Sequence, residues 1–298
     1  MAKFYLSGFA DEAGNKIKEQ IEALKAHGMT HIEPRGLDLG NVSFYTAEQA
    51  KELKKVLDDN GISVSSMGSC FGKIEITDDF APHFEEFKNA IEVCNVLGTE
   101  NIRMFSFFFT KGEKFEDYRD EVFERLDKFA TYSRENGIWC CHENEKEIYG
   151  DNVERCLEIL KTFDGRIKGV FDPANFIQCG VEILPAYEVL KDYIKYFHVK
   201  DCRASDGFVV PAGKGDADIV ELIKRVNKDF DGDIYMSLEP HLKVFRGLEG
   251  LEGEGGTADK LKDDFSYPTN RAAFDAAADA FAECITEAGL DNITVRKF

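Results

Sequence analysis

Four stretches, IWCCHE (138–143), IKGVFD (167–172), IKYFHVKD (194–201) and DIYMSLE (233–239), decide the reading of the fold. Each is a short apolar run that reads as a β-strand, each carries a polar group at or near its end, and each interval between them is long enough for one helix. Outward from these stretches the same alternation runs through the whole chain. Strands KFYLSGF (3–9), THIEPR (30–35), ISVSSM (62–67) and NIRMFSF (101–107) precede helices over 17–28, 47–61, 84–98 and 118–136. Gly28, Gly61, Gly98 and Gly137 close those helices, because glycine accepts the left-handed conformation at a helix end without strain. Further helices over 151–162, 184–192, 217–229 and 270–289 follow the four quoted strands. Eight strand–helix units predict an α/β chain folded as a (β/α)8 barrel. Barrels of about 250 residues fold as one domain, and no linker interrupts the pattern, so residues 1–298 are expected to be a single domain. One stretch breaks the rhythm. Residues 242–266, with GLEGLEGEGG inside, predict a long loop after the last strand, either a lid or a disordered excursion.

Bulk composition narrows the partners. With 37 Lys and Arg against 56 Asp and Glu, the net charge is −19, which repels nucleic acid and anionic lipid alike. The apolar fraction of 43% with 25 Phe supplies a packed core, and no apolar run approaches the roughly 18 residues of a membrane span. MAKFYLSGFADEAG reaches acidic residues before any stretch resembling a signal peptide, so a cytoplasmic protein is expected. The eight Cys form no CxxC pair and read as reduced thiols buried as small hydrophobes; Cys140 and Cys141, as strand neighbours, point to opposite faces.

In a barrel of this kind chemistry sits where strands pass into the following loops. Glu143, Asp172, His198 and Glu239 stand at such places on four consecutive strands. Taken singly, each has an ordinary explanation: a strand-end carboxylate caps the next helix, and a His in an apolar strand is a packing residue. Together they form a candidate metal site, because grouping three buried carboxylates without a cation is costly. Three carboxylates and one imidazole suit one divalent cation in a mixed oxygen and nitrogen shell, Mn2+ first, with Mg2+, Co2+ or Zn2+ as alternatives; a closed structural zinc site prefers Cys and His.

The residues also carry a resemblance. SGFADE, SSMGSCFGKI, IRMFSFF, HENEKEIYGD, FDPANF, HVKDC and SLEPHL, spread over nearly the whole chain, make it similar to the sugar phosphate isomerase/epimerase family of xylose isomerase-like TIM barrels, which includes the ketose 3-epimerases. The resemblance implies that Glu143, Asp172, His198 and Glu239 hold one divalent cation. It also implies a sugar or sugar phosphate isomerase or epimerase that removes a proton beside a carbonyl and passes through a metal-stabilised enediolate, with Glu143 and Glu239 exchanging the proton. The chain departs from the ketose 3-epimerases at Asn175, where a His usually follows the liganding Asp by three residues. Asn can hydrogen-bond a hydroxyl but does not titrate near neutral pH.

Glu33, Arg35, Lys73, Arg103, Glu145, Asn175, Lys200 and His241 are the remaining candidates for substrate contact. Arg103, inside a barrel strand, needs either a carboxylate partner (Glu33 or Glu143) or a ligand. Lys200 and Asp201 either pair with neighbours or reach substrate, and Glu145 is a second candidate ligand or base. AGKGD (212–216) lacks the spacing and hydroxyl of a phosphate loop and reads as a tight turn before a helix, with Asp216 or Asp218 near its N-terminus. Two other functions remain open: a metal-dependent lyase or dehydratase, including the type that cleaves C-glycosides, and a non-catalytic sugar-binding barrel. A DNA-repair endonuclease of the same superfamily is disfavoured by six His and the negative charge. The sequence leaves homo-oligomer formation open.

Overall fold

The computed structural model describes residues 2–110, 112–246 and 266–290. Eight staves form the barrel: β1 (Ala2–Gly8), β2 (His31–Ile32), β3 (Ser63–Val64), β4 (Asn101–Met104), β5 (Trp139–Glu143), β6 (Ile167–Phe171), β7 (Ile194–Val199) and β8 (Gly232–Leu238). Six are joined in one parallel sheet in the order β1-β8-β7-β6-β5-β4, and β2 pairs with β3 in parallel. Backbone bonds close the two seams, Arg103 N to Met67 O (3.0 Å) among them. Glu33 N donates to Gly8 O (3.1 Å) between β1 and β2, and Met67 N to Asn101 O (2.8 Å) between the β3 end and β4.

β2 and β3 are shorter than THIEPR and ISVSSM predict. Pro34 has no N–H to continue the ladder, and the chain turns at once into a small hairpin, Gly36–Leu37 with Gly40–Asn41. Beyond Val64, Met67 forms an isolated parallel bridge to Ile102 of β4. The helices are α1 (Ile17–Ala26), α2 (Ala47–Asp59), α3 (Phe80–Leu97), α4 (Arg119–Glu135), α5 (Val153–Thr162), α6 (Pro173–Gln178), α7 (Ile183–Leu190), α8 (Ile219–Asp229) and α9 (Asn270–Glu287). All four glycines expected to end helices have positive φ. α3 starts four residues earlier than the sequence pattern indicates, because Asp79 accepts from Ala81 N (3.0 Å) and Pro82 falls in the first turn, where no donor is needed. The expected loop over 242–266 lies outside the described residues from 247 to 265. Among the described residues no helix is long and apolar enough to cross a membrane.

Strand alternation separates two cores. Outward-facing Phe4, Ile102, Met104, Cys140, Phe171, Phe197, Met236 and Leu238 pack with helix residues such as Leu24, Phe87, Leu126 and Phe274 in the large core. Inside the barrel, Cys141, Val170 and Tyr196 form a small layer of their own. Cys140 and Cys141 therefore do face opposite ways, and all eight thiols are free. The inner layer fixes the floor of the site, because Glu143, Asp172, His198 and Glu239 come two residues after Cys141, Val170, Tyr196 and Ser237. At period two, each candidate ligand stands directly above a filled floor position.

The AGKGD turn hangs on Asp201, whose carboxylate accepts from Gly213 N (2.8 Å), Gly215 N (3.0 Å) and Ala217 N (3.0 Å). Asp218 occupies the N-cap position of α8 but makes no side-chain cap bond, and Asp216 accepts instead from Ala204 N (2.7 Å). α6 was not anticipated from the sequence. Gly72, after β3, has φ +87°, and a Cβ there would lie 2.1 Å from Phe105 O. Gly72→Ala is expected to cost about 3 kcal/mol, combining left-handed strain with backbone overlap; chemical denaturation checks this, and an unchanged midpoint would contradict it.

Candidate metal centre

The four strand-end groups meet at the C-terminal mouth of the barrel. One ligand atom from each of Glu143, Asp172, His198 and Glu239 lies within 4.8 Å of all the others, and all four residues are buried. His198 Nδ1 is 3.1 Å from Glu143 Oε1, 3.4 Å from Glu239 Oε2 and 3.7 Å from Asp172 Oδ2. Each carboxylate has its other oxygen held elsewhere. Arg103 Nη1 donates to Glu143 Oε2 (3.0 Å), Asn175 N to Asp172 Oδ1 (2.9 Å), and both Arg35 Nη1 (2.9 Å) and Arg103 Nη1 (3.2 Å) to Glu239 Oε1. Asp172 thus caps α6 with one oxygen and presents the other inward, where Oδ2 has no hydrogen-bond partner. A buried carboxylate oxygen facing an imidazole nitrogen and two more carboxylate oxygens is a donor set suited to a hard or borderline divalent cation.

Glu33 stands behind the ring. Its Oε1 accepts from Tyr196 Oη (2.8 Å), and its Oε2 lies 3.5 Å from His198 Nε2, the nitrogen facing away from the carboxylate cluster. It is fully buried below the mouth. From there its carboxylate faces the back of the His198 ring, a position from which it can orient the imidazole. Phe9 packs edge-on against His198 at 5.2 Å and lies between the guanidiniums of Arg35 (4.4 Å) and Arg103 (4.7 Å).

Of the two partners considered for Arg103, the hydrogen bond goes to Glu143, with Glu239 added. Arg35 is gripped by Asp11 through Nε (2.9 Å) and Nη2 (3.1 Å), so its contact with Glu239 is rigidly aimed. Lys200 Nζ donates to Asn175 Oδ1 (2.9 Å) and lies 3.6 Å from Glu239 Oε2 and 3.7 Å from Asp172 Oδ2. Asn175 Nδ2 in turn donates to Glu143 Oε1 (3.1 Å). Glu145 turns away from the cluster to pair with Lys73 (3.2 Å). His241 lies just beyond β8 with φ 45°; its N donates to Glu12 Oε2 (2.7 Å), and its Nε2 is 3.6 Å from both Glu12 Oε1 and Glu239 Oε1. Lys73, Arg103, Glu145, Lys200 and His241 line a narrow cleft together with Glu143 and Glu239.

Charge compensation governs ionisation here. Burial opposes charge on Glu143, yet His198 and Arg103 outweigh it and bring its pKa down to about 2. Glu239 is likewise depressed, burial being overcome by Lys200 and His198. Burial raises Asp172, offset only in part by Lys200. For His198, burial disfavours the imidazolium, but Glu143, Glu33 and Glu239 raise its pKa well above the ordinary value. Without a cation, a proton on this ring supplies part of the positive charge the carboxylates require.

Asp11 and Glu12 were missed from the sequence. They hold Arg35 and His241 from the end of β1, and SGFADE had placed them at a strand end, the same position that marked the four ligands.

The model described as Xylose isomerase-like TIM barrel matches residues 21–262. Alanine racemase from Clostridium perfringens (strain SM101 / Type A) is 24% identical over 200 residues, 65% of this chain and 42% of that protein, so the chain spans about two fifths of the length of the curated relatives it matches. The IOLI protein with a binding zinc atom superposes with a TM-score of 0.73 at 17% identity, covering 95% of this chain and 99% of its own. D-psicose 3-epimerase from Clostridium cellulolyticum H10, solved with D-tagatose, gives 0.71 at 18% identity over 95% and 98%. The probable 3-DHS dehydratase AsbF from Bacillus anthracis gives 0.70 at 15% over 93% and 98%. With this barrel, and with the family model covering most of its length, the chain belongs to the xylose isomerase-like TIM barrel family.

Proposed function

We propose that this protein is a divalent-metal-dependent isomerase or epimerase of a small sugar or sugar derivative. One observation carries the reading: three carboxylates from three staves each have one oxygen tied back and the other directed at His198 Nδ1. Glu143, Asp172, His198 and Glu239 would hold the cation, Mn2+ being our first choice for this oxygen-rich set. When bound, such a cation polarises a substrate carbonyl and offsets the negative charge that develops as the adjacent carbon loses its proton.

The chain's own groups divide the remaining work. Glu143 and Glu239, on β5 and at the end of β8, exchange the carbon-bound proton on opposite sides of the substrate: the ionised carboxylate removes it from one face, and the other, carrying a proton, supplies one to the opposite face. Arg103 bridges the two and fixes their separation. Lys200 and Asn175, hydrogen-bonded to each other, present donors to substrate hydroxyls, and Lys73, Glu145 and His241 line the same cleft for the distal end. Phe9 and the Cys141, Val170 and Tyr196 layer exclude water from below, which strengthens each of these contacts. Elimination on the same scaffold would begin with the same proton removal and is separated from isomerisation by a change in product mass.

Incubation of the Mn2+-supplied protein with ketoses, aldoses and their phosphates in deuterated water is expected to place deuterium on carbon beside the carbonyl in a product of otherwise conserved mass. Glu143→Gln and Glu239→Gln should each lower that exchange by about 10²–10⁴-fold while circular dichroism stays unchanged; full activity in either variant removes its assigned role. Water loss from the product would instead identify a dehydratase.

Cation affinity, measured by titration, provides a second set of tests. His198→Ala should abolish tight binding. Glu33→Gln should weaken it by about 10–100-fold with the fold intact, because it acts only through the ring. A purely packing role for His198 predicts lost stability with affinity retained. Proton and cation compete for His198 Nδ1, whose pKa is raised above 6.5, so affinity should climb as pH rises and binding should release protons; affinity independent of pH would contradict this competition.

A further inference from the structure

Beside the candidate metal centre, on the same face of the barrel, lies an open pocket of about 280 Å³ that the mechanism does not use. Its walls are largely carbon. Leu37 comes from the hairpin after β2, Phe44 from the turn before α2, and Phe245 from the segment after β8. Phe44 is 45% exposed and stands at the rim of the cavity. The two charged groups deepest in the pocket are already matched to each other, since Asp11 takes two hydrogen bonds from Arg35. The Arg35 guanidinium is also covered on both sides, by Phe9 at 4.4 Å and Phe245 at 4.6 Å. Arg246 stands at the outer edge and is exposed.

The pocket and the polar cleft adjoin at two places. Arg35, in the pocket wall, donates to the ligand Glu239, and Cys70, also in the wall, precedes cleft-lining Lys73 by three residues. The cleft offers charged and polar groups almost throughout, which suits the hydroxyls of a sugar head. A free sugar, with only small C–H faces, gains little from the neighbouring carbon-lined space. A ring attached to that sugar gains more.

We propose that this pocket holds an apolar, aryl-sized substituent of the substrate while its sugar head lies in the cleft, which makes the substrate class a glycoside or similarly substituted sugar derivative. This rests on the sugar reading of the cleft given above. The chain makes the division from two sets of loops: those after β1 and β2, with Phe245, form the apolar part, and the ends of β4, β5, β7 and β8 form the polar part.

Matched pairs of 4-nitrophenyl and methyl glycosides in the β-D-gluco, β-D-galacto and α-D-manno series, titrated calorimetrically into the full chain with Mn2+, test this directly. In at least one series the aryl member should bind about tenfold more tightly than its methyl partner. Phe44→Ala should shrink that ratio at least threefold, and Phe44→Tyr should retain it. Equal affinities in every pair, binding of no pair, or a ratio untouched by Phe44→Ala would overturn the proposal. An aryl preference that depends on Phe44 in a protein that exchanges no carbon-bound hydrogen would support the pocket and contradict the isomerase reading. Exchange without aryl preference would do the reverse.

Discussion

Three carboxylates converge at a mouth from which water is largely excluded, and the surrounding structure is arranged around that constraint. Unpaired, such a group would be strongly unfavourable, because an uncompensated buried charge loses several kcal/mol of hydration. Arg35 and Arg103 take one oxygen of Glu239, Arg103 takes one of Glu143, and the first turn of α6 takes one of Asp172. These bonds leave one oxygen of each carboxylate directed toward a common point. The outer positive groups therefore do more than neutralise: they select which lone pairs face inward. Arg35 can serve this way only because Asp11 holds it from the far side, and His198 because Glu33 stands behind its other nitrogen.

The barrel makes this convergence straightforward. Parallel staves deliver their C-terminal ends to one rim, and the two-residue period places each ligand above an inward-facing partner in the layer below. Tyr196 links the layers, since its hydroxyl donates to Glu33 and accepts from Ser66 Oγ at 3.1 Å. Glu33, held by that bond, places its second oxygen 3.5 Å from His198 Nε2. The Asp201 turn plays a comparable part next to β7, where three backbone amides close on one carboxylate and set the path of the chain into α8.

Much of this was legible in the sequence where local rules act alone. The β5 to β8 staves are apolar runs separated by helix-forming segments, so their order and the placing of Glu143, Asp172, His198 and Glu239 at or near their ends could be read directly. β2 and β3 were overestimated because apolar pattern does not register the loss of ladder bonds at Pro34 or the bend after Val64. The partners of Arg103 could be narrowed to carboxylates but not to both Glu143 and Glu239, since strand alternation gives facing and not the distance across the barrel. Asp172 illustrates the limit well. Helix capping and metal ligation were weighed as alternatives for strand-end carboxylates, whereas in the structure one oxygen makes the cap and the other turns inward. Asp11 and Glu12 went unassigned because their importance lies in contacts to Arg35 and His241, which are distant in the chain.

The account depends on a cation seated among those inward oxygens. Crystals grown with Mn2+ and measured on both sides of the manganese absorption edge test it most directly. An anomalous difference peak in direct contact with Asp172 Oδ2, His198 Nδ1 and the inward oxygens of Glu143 and Glu239 is the result expected. No peak there, or a peak held instead by Glu145 or by surface carboxylates, would contradict it.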